Sequence, residues 1–159
     1  MILLGRFIVM TAFVFWLGGF TFYISIVVPL GTEQLGAIGQ GFITREVTKS
    51  INISATIALA LALAELLLAP DNRKARWWAR WGLWLTIAVC QASLFYLHPL
   101  LDGYLDFDTA SVRERPAFYQ YHRVYLWTHT LQWALAWISM WLMLWAWRDA
   151  DRSPPSRSI

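Results

Sequence analysis

The sequence predicts an all-α integral membrane protein, an antiparallel bundle of four transmembrane helices. Three observations predict it. Hydrophobic residues make up 58% of the 159 positions while charged residues make up 14%, the wrong balance for a surface facing water. Four apolar stretches each reach the length of about 20 helical residues that a bilayer core of about 30 Å requires. The basic residues fall between those stretches, more of them on one side than on the other.

The first stretch covers residues 7–30 and closes at Pro29-Leu30-Gly31. It follows Arg6 as a secretory signal would, but its apolar run exceeds the roughly 7–15 residues of a signal core. No small-x-small cleavage site closes it, so it is expected to stay as a helix. The second stretch covers 47–69 and ends at Pro70-Asp71-Asn72, the third covers 78–98 and ends at Pro99, and the fourth covers 121–147 and ends at Arg148-Asp149. Pro and Gly in these places are helix stop signals. One four-helix domain, 1–148, is expected, followed by a disordered cytoplasmic tail, 149–159, rich in Ser, Pro and Arg.

Four spans place both termini on one side, together with the loop near Arg73. That side holds Arg6, Arg73, Lys74, Arg76, Arg80, Arg148, Arg152 and Arg157; the other holds Arg45, Lys49, Arg113, Arg115 and Arg123. The positive-inside bias puts the first side in the cytoplasm and the protein in the plasma (inner) membrane. Trp77, Trp78, Trp145 and Trp147 then lie at the cytoplasmic interface, where indoles favour the headgroup region. Nucleic acid is excluded as a partner because the cations form no stripe. Cys90 is the one cysteine, so no internal disulfide and no CxxC site can form.

Polar side chains at membrane depth are expected to turn inward and find partners. On the fourth helix His122, Tyr125, His129 and Gln132 share one arc, while Trp133, Trp137, Trp141 and Trp145 recur every four residues on another arc, toward lipid or a partner. Arg45, Thr48, Asn52 and Thr56 share a face of the second helix, and Gln91 and His98 share one on the third. Asn52, Gln91, His122, Tyr125 and Gln132 therefore form the expected polar cluster in the exoplasmic half. Thr11, Gly18 and Ser25 on the first helix make a small-residue stripe suited to close helix contact. Glu65 is out of phase with Asn52; it is expected to snorkel or pair with Arg73, Arg76 or Arg80, ahead of an oligomer contact or a proton or cation role.

Two segments carry a family resemblance. Trp16-Leu17-Gly18-Gly19-Phe20 with Val28-Pro29-Leu30, and FYQYHRVYLWTHTLQ over 118–132, resemble the transmembrane-protein-205-like family, a four-helix membrane domain of unknown function. His122 and Gln132 match its last-helix pattern, whereas Tyr125 and His129 stand where that family tends to have Ser and Asn. A weaker likeness runs to copper-resistance-D-type and haem-linked oxidase membrane domains. Those place a His about two turns before the Trp, where this chain has Ile8-Val9-Met10, which argues against haem on that precedent.

Two functional readings result. In the first, a non-enzymatic multi-pass protein in the lipid bilayer uses its cluster to hold the bundle or to receive a membrane protein partner, a second copy, a lipid or a small solute. In the second, His98, His122 and His129 bind haem or a transition metal, with Asp102, Asp106 and Asp108 feeding cations to them; imidazole is the common ligand for such metals. An enzyme is disfavoured, because the chain has no phosphate-cradling loop, nucleophile elbow or paired intramembrane carboxylates.

Overall fold

The computed structural model describes residues 2–69, 71–106, 109 and 111–152. The fold is all-α. Helix α1 (Ile2–Phe22) passes through a π-helical turn (Tyr23–Val27) into α2 (Val28–Leu68); α3 (Lys74–Asp102) and α4 (Arg115–Arg152) follow. Between α3 and α4 a minimal antiparallel hairpin pairs β1 (Leu105–Asp106) with β2 (Ser111–Val112), Leu105 opposite Val112.

The stop expected at Pro29 is not where the chain turns. Proline lacks an N–H, and its ring crowds the carbonyl four residues back, here that of Ser25. The π-turn over Tyr23–Val27 widens the helix just there, a usual way of accommodating such an interruption. The reversal comes at Gly36, with φ 73° and ψ 166°, a region that essentially only glycine occupies. Around it the two arms close tightly: a Cβ on Gly31 would lie 1.7 Å from Oε1 of Gln40. Gln40 Nε2 donates to the Tyr23 hydroxyl at 3.2 Å and to Thr44 Oγ1 at 3.3 Å, and the Tyr23 hydroxyl lies 3.0 Å from the same Thr44 oxygen.

The ends of α3 and α4 also run further than expected. α3 continues through Pro99 to Asp102, since a proline in the last turn removes only one bond of the ladder. α4 continues through residues 149–152, which were expected in the tail; Asp149 meets Arg76 at 2.8 Å and Asp151 meets Arg6 at 2.7 Å, which ties this last turn to α3 and α1. Residues 153–159 of the expected tail lie outside the described residues.

Each long helix packs on two others: α1 on α2 and α4, and α3 on α2 and α4. Phe13, Leu17, Ile87 and Leu94 are fully shielded at the centre, beside Ala55, Ala58 and Ala136. The close helix contacts are therefore made by alanines on α2 and α4. The stripe Thr11, Gly18 and Ser25 faces outward, and nothing lies within 4 Å of a Cβ built on Gly18. α1 instead buries Val9, Phe13, Trp16, Leu17 and Phe20, an arc that removes far more apolar area than three small residues could.

Two described stretches, Ile2–Leu68 and Lys74–Asp102, are long and apolar enough to cross a membrane by length and composition. The first contains both arms of the Gly36 turn. α4 is as long but carries Trp, Tyr and His, whose polar tips lower its mean hydropathy.

Gly36→Ala should destabilise the protein by about 1–3 kcal/mol, the range for a residue forced into a sparsely allowed backbone region. Ala58→Leu should also lower the melting temperature in detergent, by overpacking. Gly18→Leu should leave it unchanged within error; a drop equal to that of Ala58→Leu would mean that α1 packs through its small-residue stripe after all.

Candidate functional site

Four of the five residues expected in the polar cluster meet in one hydrogen-bonded chain, which does not include His122. Gln132 Nε2 donates to Gln91 Oε1 at 2.6 Å, Gln91 Nε2 donates to the Asn52 carbonyl at 3.1 Å, and Asn52 Nδ2 donates to the Tyr125 hydroxyl at 3.3 Å. All four side chains are buried, Asn52 and Gln132 to within 1% of full shielding. Helical phase places them: Tyr125, His129, Gln132 and Ala136 are successive buried positions of α4, and Thr48, Asn52 and Ala55 are buried on α2. Thr56 shares the Asn52 face only as a satellite, its hydroxyl bonding back to the Asn52 carbonyl at 2.8 Å.

The three histidines take three different places. His129 is buried, stacked on Phe20 with centroids 5.3 Å apart and edge-on to Tyr125 at 4.8 Å. His98 presents Nε2 to the Arg45 carbonyl at 3.2 Å, so that nitrogen carries the proton, and Nδ1 lies 3.6 Å from Asp102 Oδ2. His122 is half-buried and stacked on Phe118, 5.5 Å away. His122 and His129 are seven residues apart on one helix, about 10 Å along its axis, whereas ligands at about 2.1 Å from a shared ion must nearly touch. Among the described residues no group of three His, Cys, Asp or Glu side chains converges as a metal site requires. The grouping of His98, His122 and His129 as ligands to one metal therefore does not form. Asp106 is engaged by Arg113 at 3.4 Å, and Asp108 lies outside the described residues.

Two atoms of this region have no hydrogen-bond partner among the described residues: Asn52 Oδ1 and His129 Nε2. Both belong to residues that touch Tyr125. Buried polar atoms are paired in the great majority of proteins, so this is the least satisfied part of the interior.

The two ends of the bundle carry ionic networks that sequence reasoning left undrawn, apart from a partner for Glu65. At one end Arg45 forms a bidentate pair with Asp102, at 2.6 and 2.9 Å, joining α2 to α3. At the other, Arg80 pairs with Glu65, whose second oxygen accepts from Trp147 Nε1 at 2.7 Å. Arg76 grips Asp71 through two bonds of 2.6 and 2.8 Å and reaches Asp149 at 2.8 Å. Arg6 and Arg76 lie over the rings of Trp147 and Trp145 at 5.3 and 5.4 Å, within cation–π range. The sequence signal for Arg45–Asp102, Arg80–Glu65, Arg76–Asp149 and Arg6–Asp151 was available: each joins opposite charges lying at the same end of neighbouring helices. Three of the four expected Trp of α4, Trp137, Trp141 and Trp145, are exposed, while Trp133 donates to Thr21 Oγ1 at 3.0 Å.

The carboxyl of Asp71 is held below its ordinary value: burial pushes it up, but the bonds from Arg76 and the Arg73 N–H and the charges of Arg76 and Arg80 outweigh that. The Arg76 bond and charge do the same for Asp149, and Arg6 does it for Asp151.

Protein-family models, curated proteins and solved structures give no match to the chain. What this site does is therefore argued from its own chemistry.

Gln132→Leu should cost about 1–3 kcal/mol by leaving Gln91 Oε1 buried without its donor. Adding Gln91→Leu should cost less than the sum of the two single changes, because the orphaned group then disappears; strict additivity in a double-mutant cycle would mean that the pair is not coupled. A second expectation concerns acid. Carboxyls with lowered folded values contribute stability that is fully present above the unfolded value near 3.9 and is lost as pH falls through the folded one. The contribution of these carboxyls to thermal stability in detergent should thus be constant above about pH 5 and be lost below about pH 4. Asp71→Asn should be less stable at neutral pH and flatter in acid.

Proposed function

We propose that the protein is a non-enzymatic, four-span integral membrane protein of the plasma (inner) membrane, arranged as an antiparallel bundle with both termini cytoplasmic. The observation that carries this is the reversal of the usual distribution of side chains. Large apolar groups along every helix point outward, among them Phe7, Phe15, Ile57, Leu85, Tyr96 and Trp141, while Asn52, Gln91, His129 and Gln132 are shielded inside. Contiguous exposed apolar area of this extent marks contact with lipid or protein, and inward polar groups are what an apolar solvent demands.

On this reading α1, the second arm of α2, α3 and α4 are the spans, and the Gly36 turn and the β1–β2 hairpin lie on the exoplasmic side. The basic network of Arg6, Arg73, Arg76 and Arg80 lies at the cytoplasmic face, as the positive-inside bias requires. The Asn52–Gln91–Gln132–Tyr125 chain fastens α2, α3 and α4 in the exoplasmic half and leaves Asn52 Oδ1 and His129 Nε2 for a partner, lipid or small solute. Membership of the transmembrane-protein-205-like family, with His122 and Gln132 as the matching positions, is part of this proposal. The exposed face of α4 at Trp137 and Trp141 serves a second copy or another membrane protein.

Reporter fusions at Ser158 and within 102–113 should report opposite sides of the membrane, the tail inside. An exoplasmic tail would overturn the topology. Purified protein should show no Soret band and no stoichiometric transition metal, and His129→Asn should retain stability. A haem spectrum lost in His129→Asn would instead establish the cofactor reading.

A further inference from the structure

At the end of the bundle that carries the basic network, a cavity of about 400 Å³ opens between Asp71, Lys74, Trp77 and Trp78. Its size is within the range of ligand sites. Its charge is decided by which groups around it are already engaged. Asp71 is fully shielded and held by Arg76 and Arg80; Arg73 and Arg76 are paired with Asp149, Arg80 with Glu65, and Arg6 with Asp151. Lys74 is exposed and has no ion-pair partner among the described residues. The cavity therefore presents an ammonium group and no unneutralised carboxylate.

Its walls are indoles. Trp77 and Trp78 meet edge-on at 4.6 Å, and Trp78 is 68% exposed. One turn further along α3, Trp81 packs on Trp77 with centroids 5.9 Å apart, and its Nε1 is buried with no hydrogen-bond partner among the described residues. The lining thus sets an ammonium unpaired among the described residues beside two indole rings. An anionic phospholipid headgroup offers the matching chemistry, a phosphate for the ammonium and a glycerol backbone for indoles, which favour the headgroup region. A choline-type cation is a poor occupant, because the one carboxylate in the wall is consumed by two arginines.

We propose that this cavity binds the headgroup of an anionic phospholipid, with Lys74 on the phosphate and Trp77 and Trp78 flanking the glycerol. The proposal rests on the membrane reading above, in which this end faces the leaflet where anionic lipids concentrate.

The full-length chain, reconstituted into vesicles of equal parts phosphatidylcholine and phosphatidylglycerol, is released into mild detergent and its retained lipids are counted by native mass spectrometry. The wild type should keep phosphatidylglycerol over phosphatidylcholine. Lys74→Glu should lower that preference by about fivefold or more, since one basic residue near a lipid surface contributes about 1 kcal/mol. Lys74→Arg should keep it, and Trp78→Ala should reduce it. Helical circular dichroism of each variant should match the wild type, because Lys74 and Trp78 are exposed. Equal retention of the two lipids, a preference for phosphatidylcholine, or unchanged phosphatidylglycerol binding in Lys74→Glu would overturn the proposal. So would millimolar inorganic phosphate raising the melting temperature as much as phosphatidylglycerol does, which would make the site one for a free anion. Failure of the chain to float with the vesicles would overturn the membrane reading itself, whereas insertion without lipid preference would overturn only the lipid site.

Discussion

The Gln132 to Gln91 bond, 2.6 Å between two fully enclosed amides, fixes the arrangement of three helices at once. An amide has two donors and an acceptor, and away from water each must find a partner inside the protein or cost about 1–3 kcal/mol. Gln91 meets this demand by accepting from α4 and donating to the Asn52 carbonyl on α2. Rotating or sliding α3 by one residue breaks both bonds, and moving α2 or α4 breaks one. The apolar contacts around them, through Ala55, Ala58 and Ala136, are tolerant of small shifts, so register is set by the amides and tightness by the alanines.

The ends of the helices obey the same rule with full charges. Glu65 and Arg80 are both nearly enclosed, and Trp147 donates to the same carboxylate. A buried ion pair adds little net stability over an apolar pair of equal volume, but removing one partner costs about 3–5 kcal/mol. Such a pair acts against alternatives: any packing that separates α2 from α3 at this end strands a charge. The Arg45–Asp102 pair plays the same part at the opposite end. Between the two lie the amide chain and the apolar core.

Much of this was legible in the sequence. The all-α class followed from composition, and three of the four residues placed on the inward arc of α4, Tyr125, His129 and Gln132, are buried, because helical phase is fixed at 100° per residue, while His122 at the arc's outer end is half-buried. Partner choice was not legible. Nothing in one chain's spacing says that α1 would bury the Phe13, Trp16, Leu17 and Phe20 arc in place of Thr11, Gly18 and Ser25; that depends on how much area the neighbouring helices can cover. Pro29 read as a stop because a proline usually is one, yet the π-turn at Tyr23–Val27 absorbed it and Gly36 made the turn. Three histidines on one side of the membrane read as a potential metal site, but side-chain packing separated them, His122 onto Phe118 and His129 onto Phe20. Sharing a side of the membrane is a much weaker condition than sharing a coordination sphere.

The places where local rules are broken are then few and can be compared. Trp81 Nε1, Asn52 Oδ1 and His129 Nε2 are the buried side-chain atoms without partners among the described residues. The first is on α3, on a ring packed against Trp77; the other two belong to residues in contact with Tyr125 toward the other end of the bundle. Natural sequences satisfy their polar groups nearly everywhere and depart from this mainly at sites that serve something else. Asn52 and Tyr125 could be replaced by apolar residues at little cost to a bundle already fixed by Gln91, Gln132 and the two ionic ends. What the pair adds to packing is therefore small beside what it costs in unsatisfied atoms, and that imbalance, which the mutually bonded glutamines do not share, is why the proposed binding role falls on the Asn52–Tyr125–His129 group.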